Sequence, residues 1–160
     1  MARTVWFDDG LAEQIRQMGE AMSPRETGGI LMGYVADNED VVVTKLIGPG
    51  KNAEHKISGF KPDHDYQMTV LREHFDKTSG QDSYLGDWHT HPNCRAELSS
   101  LDLRTLARIS ISVSDHIRHP VMAVASLENG SFDLRAYRFE SRRRGWFHSY
   151  AETSEMKVVF

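Results

Sequence analysis

The hydrophobic residues of the chain change their spacing several times, and each change predicts an element of secondary structure. Residues 11–22 carry apolar side chains at spacings of four, three and four, which is typical of one face of an amphipathic helix. Asp8 or Asp9 is placed to cap the first turn, and Ser23-Pro24 ends the helix. The apolar face of this predicted helix comprises Leu11, Ile15, Met18 and Met22.

Two pairs of apolar runs predict β-hairpins, because each pair is separated by a short polar turn. An Asn-Gly turn lies between the runs of the second pair, and this dipeptide strongly favours a tight hairpin. The first pair is Gly29–Val35 and Val41–Ile47 around Asp37–Asp40, and the second is Val121–Leu127 and Phe132–Tyr137 around Glu128-Asn129-Gly130.

The region between the hairpins predicts two more helices and one strand. Residues 51–62 have no clear period and are interpreted as a long loop. Helical patterns follow over Asp63–Lys77 and Ser99–Ser112, on either side of a strand pattern over Tyr84–His91. We therefore expect a mixed α/β fold, with one sheet and about three helices.

Length and composition are those of an ordinary globular domain. The chain has 160 residues, 26% of them charged and 39% hydrophobic. We expect a single domain over residues 1–160, with about residues 141–160 as a C-terminal extension. The 19 basic and 23 acidic side chains give a net charge of −4, which argues against nucleic acid as a partner.

Two absences in the sequence bear on location. No segment approaches the roughly 18 consecutive apolar residues of a membrane helix, so no membrane partner is expected. The apolar run before Asp8 is too short for a signal peptide. Cys94 is the single cysteine, so no intramolecular disulfide can form. We expect a cytoplasmic protein.

The candidate chemistry lies in Gly86-Asp87-Trp88-His89-Thr90-His91-Pro92 and in the helix that follows it. In a strand, positions i and i+2 share a face, so His89 and His91 can present their imidazoles side by side where Pro92 ends the strand. Ser99 and Asp102 share a face of the first helical turn. Two His and one Asp leave a fourth tetrahedral position open, which is the layout of a catalytic zinc site.

Other interpretations of these residues stay open at this point. A His-x-His pair alone is more often two ordinary histidines, and Ser99-x-x-Asp102 alone is a plausible helix-capping pair. Two His and a carboxylate also suit non-haem iron. Hydrolysis further needs a carboxylate base that is not a ligand, and composition cannot select one. The remaining histidines have no partner at metal spacing and receive no function: His55, His64, His74, His116, His119 and His148.

The segment His89-Thr90-His91-Pro92-x6-Ser99-x2-Asp102 resembles the signature of the JAMM (MPN-plus) metalloproteases. The upstream segment Glu26-Thr27-Gly28-Gly29-Ile30-Leu31-Met32-Gly33 is similar to a second element of that family, in which a Glu precedes a Gly-rich strand. Thr90 stands where many members have Ser, a departure that removes no ligand. The resemblance implies the family's curled mixed β-sheet flanked by helices.

The same resemblance implies a role for each matching residue. His89, His91 and Asp102 would bind one zinc ion per chain. Glu26 would deprotonate the attacking water and then protonate the leaving amine, and Ser99 would donate a hydrogen bond to the oxyanion.

The resemblance also implies a substrate, namely the bond after the C-terminal tail of a ubiquitin-like protein. The expected activity is a zinc isopeptidase or peptidase that deconjugates this protein or trims its precursor. Small bacterial members found with E1- and E2-like proteins in antiphage conjugation systems are the most similar. The expected partners are therefore a ubiquitin-like protein or its conjugate, with E1- and E2-like proteins as further candidates. In the loop from Asn52 to Tyr66, Phe60-Lys61-Pro62 is a candidate substrate contact, and a solvated loop with one anchoring aromatic residue is the alternative interpretation.

Alternative functions remain within and beside this family. A hydrolase of sulfur-carrier tails or small peptides has the same fold, and a non-catalytic MPN scaffold would only bind partners. Silent members generally lack the ligands, which are all present here. A DNA-repair-associated branch has a similar motif, but the Glu26 segment and the absence of a basic excess argue against it. Arg142-Arg143-Arg144 with Trp146-Phe147 could serve an acidic partner, although a solvated strand end is the simpler interpretation.

Overall fold

In the part of the chain that the structure describes, the fold consists of one closed sheet, a separate small hairpin and three helices. The computed structural model describes residues 3–112 and 118–160. Its elements are β1 (Thr4–Phe7), α1 (Leu11–Met22), β2 (Gly28–Val35), β3 (Val41–Ile47), β4 (Glu54–Lys56), β5 (Gly59–Lys61), α2 (His64–Lys77), β6 (Ser83–His91), α3 (Ser100–Ser112), β7 (Val121–Glu128), β8 (Ser131–Arg144) and β9 (Ser149–Val159).

The main sheet closes on itself in the order β1-β3-β2-β6-β7-β8-β9. The pairs β1–β3, β6–β7 and β9–β1 are parallel, and the other neighbours are antiparallel. Strand β6 therefore lies between an antiparallel and a parallel neighbour. The short strands β4 and β5 pair only with each other among the described residues.

The core is built around α1 and the inner face of the sheet, with smaller clusters beneath α3 and α2. Ile15 of α1 and Trp88 of β6 are fully buried in the main cluster. Trp88 also donates its indole N–H to the carbonyl of Ile47 at 3.2 Å, so its polar atom is satisfied. Leu106 of α3 is fully buried in the second cluster. Each of the three helices thus packs against the sheet through its own apolar cluster.

The predicted mixed α/β fold with three helices is confirmed, and so are both hairpins. Helix α2 begins as expected, with the Asp63 side chain accepting from the Tyr66 N–H. The predicted cap of α1 by Asp8 or Asp9 is wrong. Gly10 occupies the cap position with φ of 81°, and no side chain caps the helix there. The left-handed backbone that turns the chain into α1 suits glycine, which has no Cβ to clash.

The expectation of a long loop over residues 51–62 is also wrong, because this region contains the β4–β5 hairpin. Each of these strands has three residues, too few to show a period of two. The hairpin is tied to the start of β2, where the Glu26 N–H donates to the Lys56 carbonyl at 2.8 Å.

Two strands of the closed sheet have no counterpart among the predicted elements. β1 has only four residues, and its Trp6 is 45% exposed. β9 buries only Ala151 and Met156. Polar and charged residues fill most of its other positions, so no apolar stripe marks it as a strand. The segment after about residue 141 thus completes β8 and contributes β9 to the sheet.

Within the two described ranges, no helix is long and apolar enough to cross a membrane.

Candidate metal centre

Strand β6 presents two imidazoles at its C-terminal end. His89 lies opposite Gly28 of β2 and Val124 of β7, so the strand is held on both sides at this point. The Nε2 atoms of His89 and His91 lie 3.1 Å apart, and both side chains are almost completely buried. The alternation of the strand turns Thr90 into the core, where it is fully buried. The expected side-by-side arrangement of the two histidines is confirmed.

Helix α3 brings a carboxylate to the histidine pair. Asp102 in its first turn has one oxygen 3.3 Å from His89 Nε2 and the other 3.6 Å from His91 Nε2. Potential ligand atoms of all three side chains lie within 4.8 Å of one another. Strand β6 and helix α3 thus bring three potential metal ligands together, although each element contributes residues that are only local neighbours in sequence.

Ser99 and Asp102 also form a reciprocal cap at the start of α3. The Ser99 N–H donates to Asp102 Oδ2 at 2.7 Å, and the Asp102 N–H donates to Ser99 Oγ at 3.2 Å. The capping interpretation is therefore correct, and it coexists with the cluster rather than replacing it. The cap fixes the rotamer of Asp102 and directs its other oxygen to His89. The Ser99 side chain also contributes to the lowered pKa of Asp102, by a hydrogen bond to its carboxylate.

The donor set fits a divalent metal ion. His91 Nδ1 lies 3.1 Å from the carbonyl of Arg95. A carbonyl only accepts, so Nδ1 carries a proton here and Nε2 is the nitrogen that lies beside His89 and Asp102. Two imidazole nitrogens and a carboxylate oxygen are a familiar ligand set for zinc and for other first-row metals.

The pKa values of Asp102 and His91 both shift in the direction that favours the charged form of each side chain. Burial alone would raise the pKa of Asp102, but its hydrogen bonds with His89 and His91 dominate and hold this pKa far below its ordinary value. Burial likewise acts to lower the pKa of His91, and its hydrogen bonds with Asp102 and the Arg95 carbonyl outweigh burial and raise it. Asp102 is thus kept as the anion that a cation site requires.

Glu26 is the carboxylate that stands beside the cluster without belonging to it. It lines a cavity of about 740 Å³ together with His91, Asp102 and Ser99. Burial raises the pKa of Glu26, and the nearby His91 and His89 partly offset this effect. A carboxyl group with a raised pKa beside a cation site is suited to accepting and returning a proton.

The backbone around Glu26 is held by β6 and by the β4–β5 hairpin. Thr27, the next residue, receives the Thr90 N–H at 2.8 Å and donates its own N–H to Thr90 Oγ1 at 3.1 Å. His55 of β4 places Nδ1 2.9 Å from the Glu26 carbonyl. Phe60 of β5 packs so closely on Gly28 that a Cβ there would lie 2.6 Å from its ring.

Four of the residues that the sequence singled out line one cavity, namely Glu26, His91, Ser99 and Asp102, and His89 belongs to the same cluster. The sequence did not predict the contact of His55 with the Glu26 carbonyl. His55 is 29 positions away from Glu26 along the chain, and no spacing pattern links the two. Only the pairing of β4 with β5 places it there. His116, to which no function was assigned, lies outside the described residues.

Comparisons with known proteins agree with this geometry. Residues 8–140 match a family described as prokaryotic homologs of the JAB domain. The probable metalloprotease y4qB of Sinorhizobium fredii is 33% identical over 123 residues, which are 76% of this chain and 75% of that protein. A protein of Escherichia coli named CD-NTase/cGAS isopeptidase is 28% identical over 80 residues, half of this chain and 51% of that protein.

The fold has a counterpart among solved structures. The solution structure of protein DSY2949 from Desulfitobacterium hafniense superposes with a TM-score of 0.67 at 17% identity, covering 97% of this chain and 91% of the other. At this identity the likeness shows the fold. Fold, cluster and sequence similarity together define a metal-dependent hydrolase of the metalloprotease class. The chain belongs to the prokaryotic JAB family, within the wider JAB/MPN group.

Proposed function

We propose that this protein is a zinc-dependent isopeptidase that cleaves after the C-terminal tail of a ubiquitin-like protein. The observation that carries the proposal is the cavity that Glu26 and Ser99 line together with His91 and Asp102, two members of the cluster with His89. Similarity to proteins named CD-NTase/cGAS isopeptidase from Escherichia coli and Vibrio cholerae supports an isopeptide substrate. The setting we propose is a cytoplasmic bacterial conjugation system in antiphage defence, with E1- and E2-like partners.

In this proposal His89, His91 and Asp102 hold the zinc ion. When bound, the ion would act as a Lewis acid toward the scissile carbonyl and would make water a stronger nucleophile. Glu26 removes a proton from the attacking water as the water oxygen bonds to the carbonyl carbon. The same carboxyl group then returns this proton to the amine nitrogen as the C–N bond breaks. The two proton transfers leave Glu26 unchanged at the end of the cycle.

Ser99 stabilises the carbonyl oxygen as it becomes negative. Its hydroxyl lines the cavity and carries a rotatable proton that can be donated to this oxygen. One donor of this kind typically contributes about 100- to 1,000-fold to kcat.

The β4–β5 hairpin is the proposed docking site for the substrate tail. An extended tail can add a strand to a short hairpin through main-chain hydrogen bonds. Ser58, in the turn of this hairpin, lines the same cavity as Glu26. Phe60 packs on Gly28 and stacks on His55 at 6.3 Å between ring centroids, so it stiffens the hairpin near the tail. In this proposal the Phe60-Lys61-Pro62 segment also contacts the substrate.

The test compares Glu26→Gln, His91→Ala and the exposed-histidine control His64→Ala. Each protein is loaded with zinc, its metal content is measured, and cleavage of ubiquitin-like proteins carrying a dye amide at the C-terminus is followed with and without a chelator. Glu26→Gln should retain zinc and lose turnover, because Glu26 is not a ligand. His91→Ala should lose both, and His64→Ala should resemble the wild type. Loss of zinc from Glu26→Gln, or full activity of zinc-free His91→Ala, would contradict the assignment.

A further inference from the structure

The turn between β8 and β9 carries the most exposed aromatic side chains of the described residues. Trp146 is 93% exposed and Phe147 is 83% exposed. A hydrogen bond from the Gly145 N–H to the His148 carbonyl at 2.8 Å closes the turn, so its backbone presents both rings at the tip of a paired hairpin. Exposed aromatic residues in a fixed turn are typical of a binding surface.

This turn lies beside α3, and residues of both elements line two grooves that share Phe147. One groove, of about 470 Å³, runs along α3 past Leu101 and Ile111, and the other, of about 400 Å³, runs beneath Trp146. Leu101 and Ile111 are themselves 49% and 63% exposed. The surface therefore combines protruding rings with apolar clefts that could receive side chains.

The charge of this surface is opposite to that of the whole chain. No acidic side chain lines either groove in the described parts of the protein, whereas Arg104 lines both and Arg108 lines one. Arg142 and Arg144 add two guanidinium groups at the end of β8, and neither is in an ion pair within the described residues. Arg143, by contrast, is paired with Glu152. In a chain of net charge −4, this cluster is complementary to an acidic partner.

The surface is continuous with the metal centre through Leu101. This side chain lines the cavity of Glu26 and Asp102, and it also lines the larger groove beside Phe147. If the β4–β5 hairpin takes the tail of the ubiquitin-like protein, the α3 side of the cavity is left for the other half of the conjugate.

We infer that the surface around the β8–β9 turn, here called the arginine–aromatic surface, binds an acidic protein segment bearing an apolar side chain. This surface consists of Trp146, Phe147, Arg104, Arg108, Arg142 and Arg144. This inference rests on the proposed function, in that the segment belongs to the protein released by cleavage. The arginines contact its carboxylates, and Trp146 and Phe147 cover its apolar residue. The grooves and their continuity with the cavity favour a protein over a lipid surface, since a membrane would engage the protruding rings alone.

The test uses three reporters built on the same ubiquitin-like protein. The first carries only a dye amide after the tail. The second carries a leaving segment of Glu and Asp around one Leu, and the third has Lys in place of the acidic residues. For the wild-type zinc enzyme we expect kcat/KM to be about tenfold higher on the acidic than on the Lys reporter at low salt. The preference should shrink as ionic strength rises.

Two variants separate this surface from the catalytic machinery. Arg144→Glu and Trp146→Ala should each remove the preference for the acidic reporter while leaving cleavage of the dye amide unchanged. The matched controls are Arg72→Glu and Tyr34→Ala, an exposed arginine of α2 and an exposed aromatic of β2, which should keep the preference. Equal cleavage of the acidic and Lys reporters by the wild type, or a preference untouched by both variants, overturns the inference.

A binding measurement distinguishes failure of this inference from failure of the proposed function. Absence of cleavage on every reporter by the zinc-loaded protein would refute the proposed function alone. The acidic and Lys segments are then tested as labelled peptides by fluorescence anisotropy. Tighter binding of the acidic peptide, weakened about tenfold by Arg144→Glu, supports the surface. Equal binding of the two peptides refutes it, as does Trp146-dependent binding to phosphatidylserine vesicles without peptide discrimination.

Discussion

Substitution of Thr90 tests how strand β6, which carries His89 and His91, holds the segment that contains Glu26. The Thr90 side chain is fully buried on the face opposite the two histidines. Its Oγ1 accepts the Thr27 N–H at 3.1 Å, and Thr27 is fully buried as well. Replacing Thr90 by Val preserves the shape of the side chain and removes this acceptor, so a buried N–H loses its partner.

The size of the effect follows from that single change. A buried donor left without an acceptor costs about 1–3 kcal/mol. At about 2–4 °C per kcal/mol for a protein of this size, Thr90→Val should lower Tm by about 2–12 °C. Thr90→Ser keeps the acceptor and removes only the Cγ2 methyl, which packs near Gly19 of α1. Loss of that methyl should cost about 0.5–1.5 kcal/mol.

The assay is thermal and urea unfolding of both variants at one fixed zinc concentration, because a bound ligand stabilises the folded state. Hydrogen exchange of the Thr27 amide, read by NMR, separates the two causes. Protection of this amide should fall in Thr90→Val and persist in Thr90→Ser. Unchanged protection of Thr27 in Thr90→Val would refute the reasoning, as would a Val variant as stable as wild type beside a destabilised Ser variant.

Three further predictions concern the site and its surroundings. Ser99→Ala should lower kcat about 100-fold through loss of the oxyanion donor and cost about 1 kcal/mol of stability through loss of the cap, with Ser100→Ala as the control; unchanged kcat would remove Ser99 from the mechanism. His55→Ala should lower kcat about fivefold at unchanged zinc content, because a hydrogen bond of about 1 kcal/mol to the Glu26 backbone is lost. His55→Asn, which keeps a donor, should recover part of that loss, and equal rates for all three proteins would exclude a positioning role. Burial raises the pKa of Asp87 from its ordinary 3.8 to about 6, so the stability that its protonated form contributes is lost as pH rises through about 6. The stability of Asp87→Asn relative to wild type should therefore rise by about 2 kcal/mol between pH 4 and pH 7.5 in urea unfolding, and a pH-independent difference would contradict the shift.

The cluster of His89, His91 and Asp102 was predictable because each half of it is local. His89 and His91 share a face wherever residues 83–91 form a strand, and Ser99 and Asp102 share a helical turn wherever residues 100–112 form a helix. Backbone geometry over two or three residues settles these relationships without reference to the rest of the chain. The two hairpins were predictable for the same reason, since apolar runs around a short polar turn define them.

The fold was harder to predict where strands lack an apolar period. β9 is stabilised by its pairing with β8 and β1, and only Ala151 and Met156 in it are buried. The β4–β5 hairpin is shorter still, and its contacts are with the backbone of Glu26 and with Gly28. Hydrogen bonds between distant main-chain segments leave little trace in the pattern of side chains.

The sequence by itself determined the candidate ligand residues, the three helices and the two hairpins of the described ranges, because these depend on periodicity within short stretches. That Glu26 faces the cluster was implied only by family resemblance. Tertiary structure decided it through the register of β2 against β6, which sets Gly28 opposite His89 and puts Glu26 at the rim of the same cavity. Tertiary structure alone also decided that His55 supports Glu26 and that the arginine–aromatic surface adjoins the site. Such contacts join residues far apart in sequence, so their geometry exists only once the sheet has closed.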